Sequence, residues 1–267
     1  MSSEGSTPIS TSIEEPSPAR AFKIVNEILG WGDPVEDGIN PGIWFIGIEE
    51  RYPYGGEEGS DEDQIKKARG EVNDLYERTH GKWYDGTETT LPTISKRTPV
   101  FQYIAKIACK HSKSFPEWRS YRKDKLFRKD SRIFQANPFP LGKKKSKASL
   151  PRHYEQVFGY GKDNLAYYKS EVKEFRWKQI RRRWSQCRPQ VIICFGAKDT
   201  FLDFLHHVGQ KVEPIPLTGT NAILCVEEKR ILITPHFSSK AWQQCGSDDV
   251  KLEVIDKKLR EWKLELS

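Results

Sequence analysis

Short apolar runs bounded by glycine and proline alternate along the chain with longer segments of helical spacing. IWFIGI (43–48) follows Pro41-Gly42 without a polar interruption, the pattern of a strand covered on both faces and so of a parallel sheet. RIFQA (132–136) stops at Asn137-Pro138, and VIICF (191–195) is entered through Arg188-Pro189 and left at Gly196. AILCV (222–226) and RILIT (230–234) are separated by the three-residue turn Glu227-Glu228-Lys229. Between these strands, AFKIVNEIL (21–29) has helical spacing and ends at Gly30. Ser60 ahead of DEDQ supplies an N-cap and an acidic first turn for a helix toward His80. Pro99 opens an amphipathic helix over 98–110, and further helices are predicted over 164–184, 197–207 and 248–264. Strands alternating with helices imply right-handed crossovers and an α/β fold, a three-layer α/β/α sandwich around a central, mostly parallel sheet of four to five strands.

Residues 1–20 hold six Ser and three Pro with almost no apolar residues and read as a flexible tail. The remainder, 21–267, reads as one domain with a basic excursion around 112–150 and no internal repeat. No apolar stretch approaches the roughly 18 to 20 residues needed to span a bilayer. MSSEGSTPIS lacks the basic and apolar regions of a secretory signal. The five cysteines are scattered with no C-x-x-C pair, against a disulfide framework and against a zinc or iron–sulfur site. The expectation is a cytoplasmic, monomeric protein with no metal, no cofactor and no obligate protein partner.

The net charge of +7 is modest, but its distribution is not. Residues 106–147 carry fourteen Lys or Arg against three acids, and 169–188 carry eight against two. Trp118, Tyr121, Phe127, Trp177 and Trp184 interleave with these charges. Cations neutralising phosphates, with aromatics beside sugars and bases, point to a nucleic-acid partner. The same aromatics at helical spacing also suit a core.

Ligands of such sheets sit beyond the carboxyl ends of the strands. The residues there are Gly47 to Gly56 after the first strand, Asn137-Pro138 after the second, and Thr234-Pro235-His236-Phe237-Ser238-Ser239 after the last. A carboxylate, an amide and an imidazole therefore converge on one edge. The four stations IWFIGIEE, RIFQANPFPLG, PQVIICFGA and ILITPHFSS, in this order, resemble the uracil-DNA glycosylase superfamily over roughly 40–56 and 130–240. Glu49 stands where family members carry Asp or Asn, Glu50 replaces the following Pro, and Phe237 replaces the Pro of the histidine loop. Where the family's stacking aromatic would fall, this chain has Ser60 to Asp63, so that role passes to Tyr52 or Tyr54.

The resemblance implies a DNA glycosylase that flips a pyrimidine and leaves an abasic site. Cleaving the glycosidic bond builds positive charge on the sugar and negative charge on the departing base. Glu49 would stabilise the first and orient water, and His236 would donate to the base as its charge grows. Asn137 carries both donor and acceptor for a Watson–Crick edge, with Ile48, Tyr52 and Tyr54 around the base. Ser238, Ser239 and Lys240 would hold phosphates, Phe237 would wedge into the vacated stack or else plug the core, and Lys143, Lys144 and Lys145 would contact the backbone. Two other readings compete: a nuclease holding Mg²⁺ on Glu49, Glu50 and the acids at 57–63, and a non-catalytic binder of modified DNA. The glycine-rich loop Arg51-Tyr52-Pro53-Tyr54-Gly55-Gly56 suggests room for a substituted pyrimidine, such as the hypermodified cytosines of phage DNA, and a role in defence.

Overall fold

A computed structural model of the chain describes residues 30–31, 42–47, 49–51, 63, 99–127, 131–143, 150, 154–155, 159–160, 165–196, 198–206, 213–217 and 222–266. The helices expected over 21–29 and from Ser60 lie outside these, apart from Asp63, which is helical.

The strands are β1 (Gly30–Trp31), β2 (Ile43–Ile46), β3 (Glu49–Arg51), β4 (Ile133–Ala136), β5 (Phe139–Lys143), β6 (Val191–Phe195), β7 (Glu213–Pro216), β8 (Ala222–Val226) and β9 (Ile231–Thr234). The helices are α1 (Pro99–Cys109), α2 (Trp118–Asp124), α3 (Leu165–Cys187), α4 (Lys198–His206), α5 (Lys240–Gln243) and α6 (Asp248–Glu261). Six strands in the order β4-β2-β6-β9-β8-β7 carry the main sheet, and the two-residue β1 adds to the outside of β4. β4, β2, β6 and β9 are mutually parallel, whereas β1, β8 and β7 join by antiparallel pairing. The sheet is thus wider than the four to five strands expected: the five apolar runs are β2, β4, β6, β8 and β9, of which β8 is antiparallel, and β7 adds a sixth.

Every residue of β2, β4, β6 and β9 is buried, because helices cover both faces. Side chains alternate along each strand: Ile43, Phe45, Ile193 and Phe195 join one core with residues of α1, α5 and α6, while Trp44, Ile46, Ile192 and Cys194 join the other with residues of α3 and α4. That two-sided burial is what the uninterrupted apolar runs encode. The excursion at 112–130 is less separate than its polarity suggests. Tyr121, Leu126 and Phe127 are buried in the first core, and Phe127 packs edge-on to Phe101 of α1. All five cysteines are buried, and none of them forms a disulfide. No described helix is long and apolar enough to cross a membrane.

Register fixes which residues emerge together at the carboxyl edge. Ile46 lies opposite both Ala136 and Cys194, and Phe195 lies opposite Thr234. Beyond these positions stand Asn137, Gly47, Gly196 and Pro235-His236, across adjacent strands about 4.8 Å apart. β3 and β5 continue past this edge as a separate parallel pair, with Glu49 opposite Phe139.

Candidate functional site

The edge is built around the closeness of Gly47 to Asn137. The Gly47 amide donates to the Ala136 carbonyl at 2.9 Å, continuing the β2–β4 ladder by one residue. A Cβ at position 47 would lie 2.1 Å from Asn137 Oδ1 and 3.0 Å from the Phe195 ring. Glycine is needed here for close approach, since any side chain would push the Asn137 amide out of place. Asn137 is 6% exposed, and its carbonyl accepts a 2.6 Å hydrogen bond from Arg176 Nη2. The Asn137 side chain is thus fixed between a bare backbone on one strand and a main chain anchored to α3.

Arg176 itself is fully buried. A guanidinium taken out of water needs strong partners, and a charge-assisted bond to a carbonyl is one. Of the cations at 169–188 whose burial is described, six are exposed: Lys169, Lys178, Arg181, Arg182, Arg183 and Arg188. Arg176 is not part of that surface. It supports the carboxyl edge from beneath, a role its place in a charge run conceals. One signal was available: Arg176, Ile180, Trp184 and Cys187 follow 3–4 spacing, the inward row of the helix.

On the far side of Gly47, Phe195 forms the floor. Its ring is 5.6 Å from the His236 ring and stacks on Phe237 at 4.9 Å and 10°. His236 Nδ1 accepts from the Ser238 amide at 3.2 Å and lies 2.8 Å from Ser238 Oγ. A backbone N–H can only donate, so Nδ1 is the unprotonated nitrogen and the proton of the neutral ring sits on Nε2. Burial pushes the imidazole pKa below its ordinary value, in the same direction. The loop therefore presents a neutral imidazole whose Nε2–H is a donor.

Of the two roles open to Phe237 in the sequence, wedge or core plug, the structure shows the plug. It is 1% exposed, clasped by Phe195, by Tyr103 at 5.4 Å and by Trp242 at 5.2 Å. A ring held on three sides by aromatics anchors the histidine loop to the core and has no free face for a base stack. Ser239 caps α5, accepting from the Trp242 amide at 3.1 Å, and Ser238 engages His236, so both hydroxyls already have local partners. Ser238 and Lys240 are exposed.

The other expected site residues divide into two groups. Glu49 and Lys143 lie on β3 and β5, with the Glu49 backbone two residues beyond Gly47 and opposite Phe139, which is two beyond Asn137. Ile48, Tyr52, Tyr54, Lys144 and Lys145 lie outside the described residues, as do the acids at 57–62. Of the aromatics interleaved with the basic runs, Tyr121, Phe127 and Trp177 belong to the cores. Trp118 and Trp184 are half-buried, and Lys106 and Arg119 lie 5.6 and 4.8 Å from the Trp118 ring. The charge-rich excursion therefore keeps an exposed cationic face over an apolar underside, as expected where long basic side chains cover a core.

No family model matches the chain, and no curated protein matches it.

Proposed function

We propose that the chain is a DNA glycosylase that extrudes a pyrimidine nucleotide and hydrolyses its N-glycosidic bond. The observation that carries this reading is the presence, on one carboxyl edge, of a buried Asn137 amide packed against Gly47 and of a neutral His236 donor. A flipped base needs fixed polar groups to read its edge, because groups already held in place lose little freedom when it binds. The departing base gathers negative charge on its oxygen, and a neutral Nε2–H whose partner nitrogen is held by Ser238 stabilises that charge without transferring a proton. Glu49, on the segment that leaves Gly47, would serve the other half of the charge separation, stabilising the oxocarbenium-like sugar and orienting water. The basic stretches at 106–147 and 169–188 would supply salt-sensitive affinity for the phosphodiester backbone.

The resemblance of the four stations to the uracil-DNA glycosylase superfamily agrees with this assignment. So does an α/β architecture with helices on both faces, which is compatible with that superfamily's three-layer sandwich. A substituted pyrimidine, of the kind carried by phage DNA, is the substrate class that the loop at 51–56 favours, and defence is the corresponding role. Mass spectrometry of bases released from plain, uracil-containing and phage-modified DNA, with and without EDTA, tests the reading. EDTA-resistant release of a free base with alkali-labile sites left behind supports it. EDTA-sensitive cleavage of intact DNA would replace it with the nuclease. Tight binding with no base released would replace it with the non-catalytic binder.

A further inference from the structure

The opposite, amino-terminal end of the same strands carries a different feature. A groove of about 740 Å³ runs between the end of α3 and the turn joining β8 to β9. Its lining includes Arg181, Trp184 and Arg188 from one side and Glu228, Lys229 and Arg230 from the other. The four cations are all exposed, and among the described residues none of them forms a salt bridge. The protein pairs its basic side chains elsewhere: Lys106 and Lys251 meet Asp248, Lys258 meets Glu227 and Glu261, and Arg260 meets Asp256.

The backbone adds a second observation. Arg188 and Arg230 have φ of 47° and 53°, in the left-handed region that favours glycine. Each is held there by hydrogen bonds, from Arg188 N to Trp184 O at 2.9 Å and from Arg230 N to Glu227 O at 3.1 Å. Two turn positions suited to glycine thus both carry arginine, and both line the groove. Trp184 packs partly against the core of the α3 face and lies among these cations. Unpaired cations around an aromatic surface match a chain of phosphates with unstacked bases between them. A duplex, whose bases are already stacked, would leave the tryptophan unused.

We propose that this groove binds a single-stranded polynucleotide, its phosphates on Arg181, Arg188, Lys229 and Arg230 and a base against Trp184. β6 separates the groove from the carboxyl edge by five residues, about 16 Å of strand. The bound segment is therefore distinct from any nucleotide held at Asn137 and His236, and the proposal stands independently of the glycosylase reading.

The test uses the full chain and a fluorescein-labelled oligothymidylate, with anisotropy titrations across a salt series. The double variant Arg181→Glu/Lys229→Glu should lower affinity about tenfold or more, and should flatten the log–log salt dependence by about 1.4 for the two phosphates lost. The control Lys257→Glu, exposed on α6, should change affinity less than about twofold. Photo-crosslinking with an oligonucleotide carrying 5-iododeoxyuridine should mark the peptide containing Trp184. Unchanged affinity, an equal loss in the control, or crosslinks confined to the carboxyl edge would each overturn the proposal. Equal competition by thymidine monophosphate or inorganic phosphate would overturn it in favour of a small-anion site.

Discussion

At the carboxyl edge of β4, β2, β6 and β9 two polar residues, Asn137 and Arg176, are buried and His236 is half-buried. Asn137 is wedged against a glycine backbone, Arg176 is sealed beneath it, and His236 is fixed by Ser238. At the amino edge of the same strands four cations are exposed and, among the described residues, form no salt bridge. Burial and spacing decide what each end can do. A buried amide with one allowed position can discriminate between hydrogen-bond patterns, because a mismatch leaves a group unsatisfied. Exposed arginines on long side chains give charge without reading sequence. One sheet thus carries packed, buried polar groups at one edge and exposed cations at the other.

The largest effect that sharpens this contrast is on stability. Phe237→Ala should cost about 3–5 kcal/mol, since it empties the centre of an aromatic cluster of Phe195, Tyr103 and Trp242. Lys229→Ala at the amino edge should stay within about 0.5 kcal/mol. Urea denaturation of both variants checks the pair; a Phe237→Ala protein as stable as the parent would return that ring to the role of an exposed wedge.

Next comes catalysis. Gly47→Ala should slow base release by about 10²-fold, because the new methyl overlaps Asn137 Oδ1 and a displacement of about 1 Å in a reading group costs that much. Glu49→Gln should lose roughly 10²-fold while retaining DNA binding, as a removed electrostatic group does in a preorganised site. Single-turnover release assays beside binding titrations separate the two variants: Gly47→Ala should also change preference among bases, and Glu49→Gln should not. Identical profiles would mean that Asn137 does not read the base.

Much of this arrangement is legible in the sequence, and the exceptions have physical causes. VIICF and AILCV match β6 and β8 residue for residue, and the long helix predicted over 164–184 is α3 at Leu165–Cys187. Uninterrupted burial leaves an unambiguous apolar signature. EPIP does not: β7 has two prolines in four residues and is mostly exposed, which an edge strand tolerates and a sequence pattern reads as loop. The converging strand ends, with Asn137 and His236, follow from the order of strands alone. The Gly47–Asn137 contact does not, since it joins residues ninety positions apart through a parallel register. Arg176 was hidden by its neighbours, a run of cations, whereas Phe237 stood open between an exposed wedge and a core plug until its burial decided it.

The smallest effect concerns pH, and it separates the buried histidines from Asp248 by window, since both contributions are lost as pH falls. Burial lowers the pKa values of His236 and His111, the latter partly opposed by Asp256. Unfolding returns each imidazole to its ordinary value near 6.5, so below that pH the unfolded chain binds more protons than the folded one. Stability should therefore fall as pH drops through about 6.5, by at most about 1.4 kcal/mol per pH unit for each histidine, and neither should contribute a slope above it. Asp248 acts in a separate window. Burial would raise its pKa, but hydrogen bonds from Tyr103, Lys106 and Lys251 outweigh that and bring it down to about 2. Its contribution is complete above its unfolded value near 4 and is lost as pH falls from there toward 2. Denaturation midpoints measured from pH 8 to pH 3 should show the two steps, and His236→Gln should flatten only the upper one. The neutral Nε2–H donor also implies that base release is constant from about pH 6.5 upward. A rate that fell through that range, with the protein still folded, would assign His236 a charged role and undo the argument from Ser238.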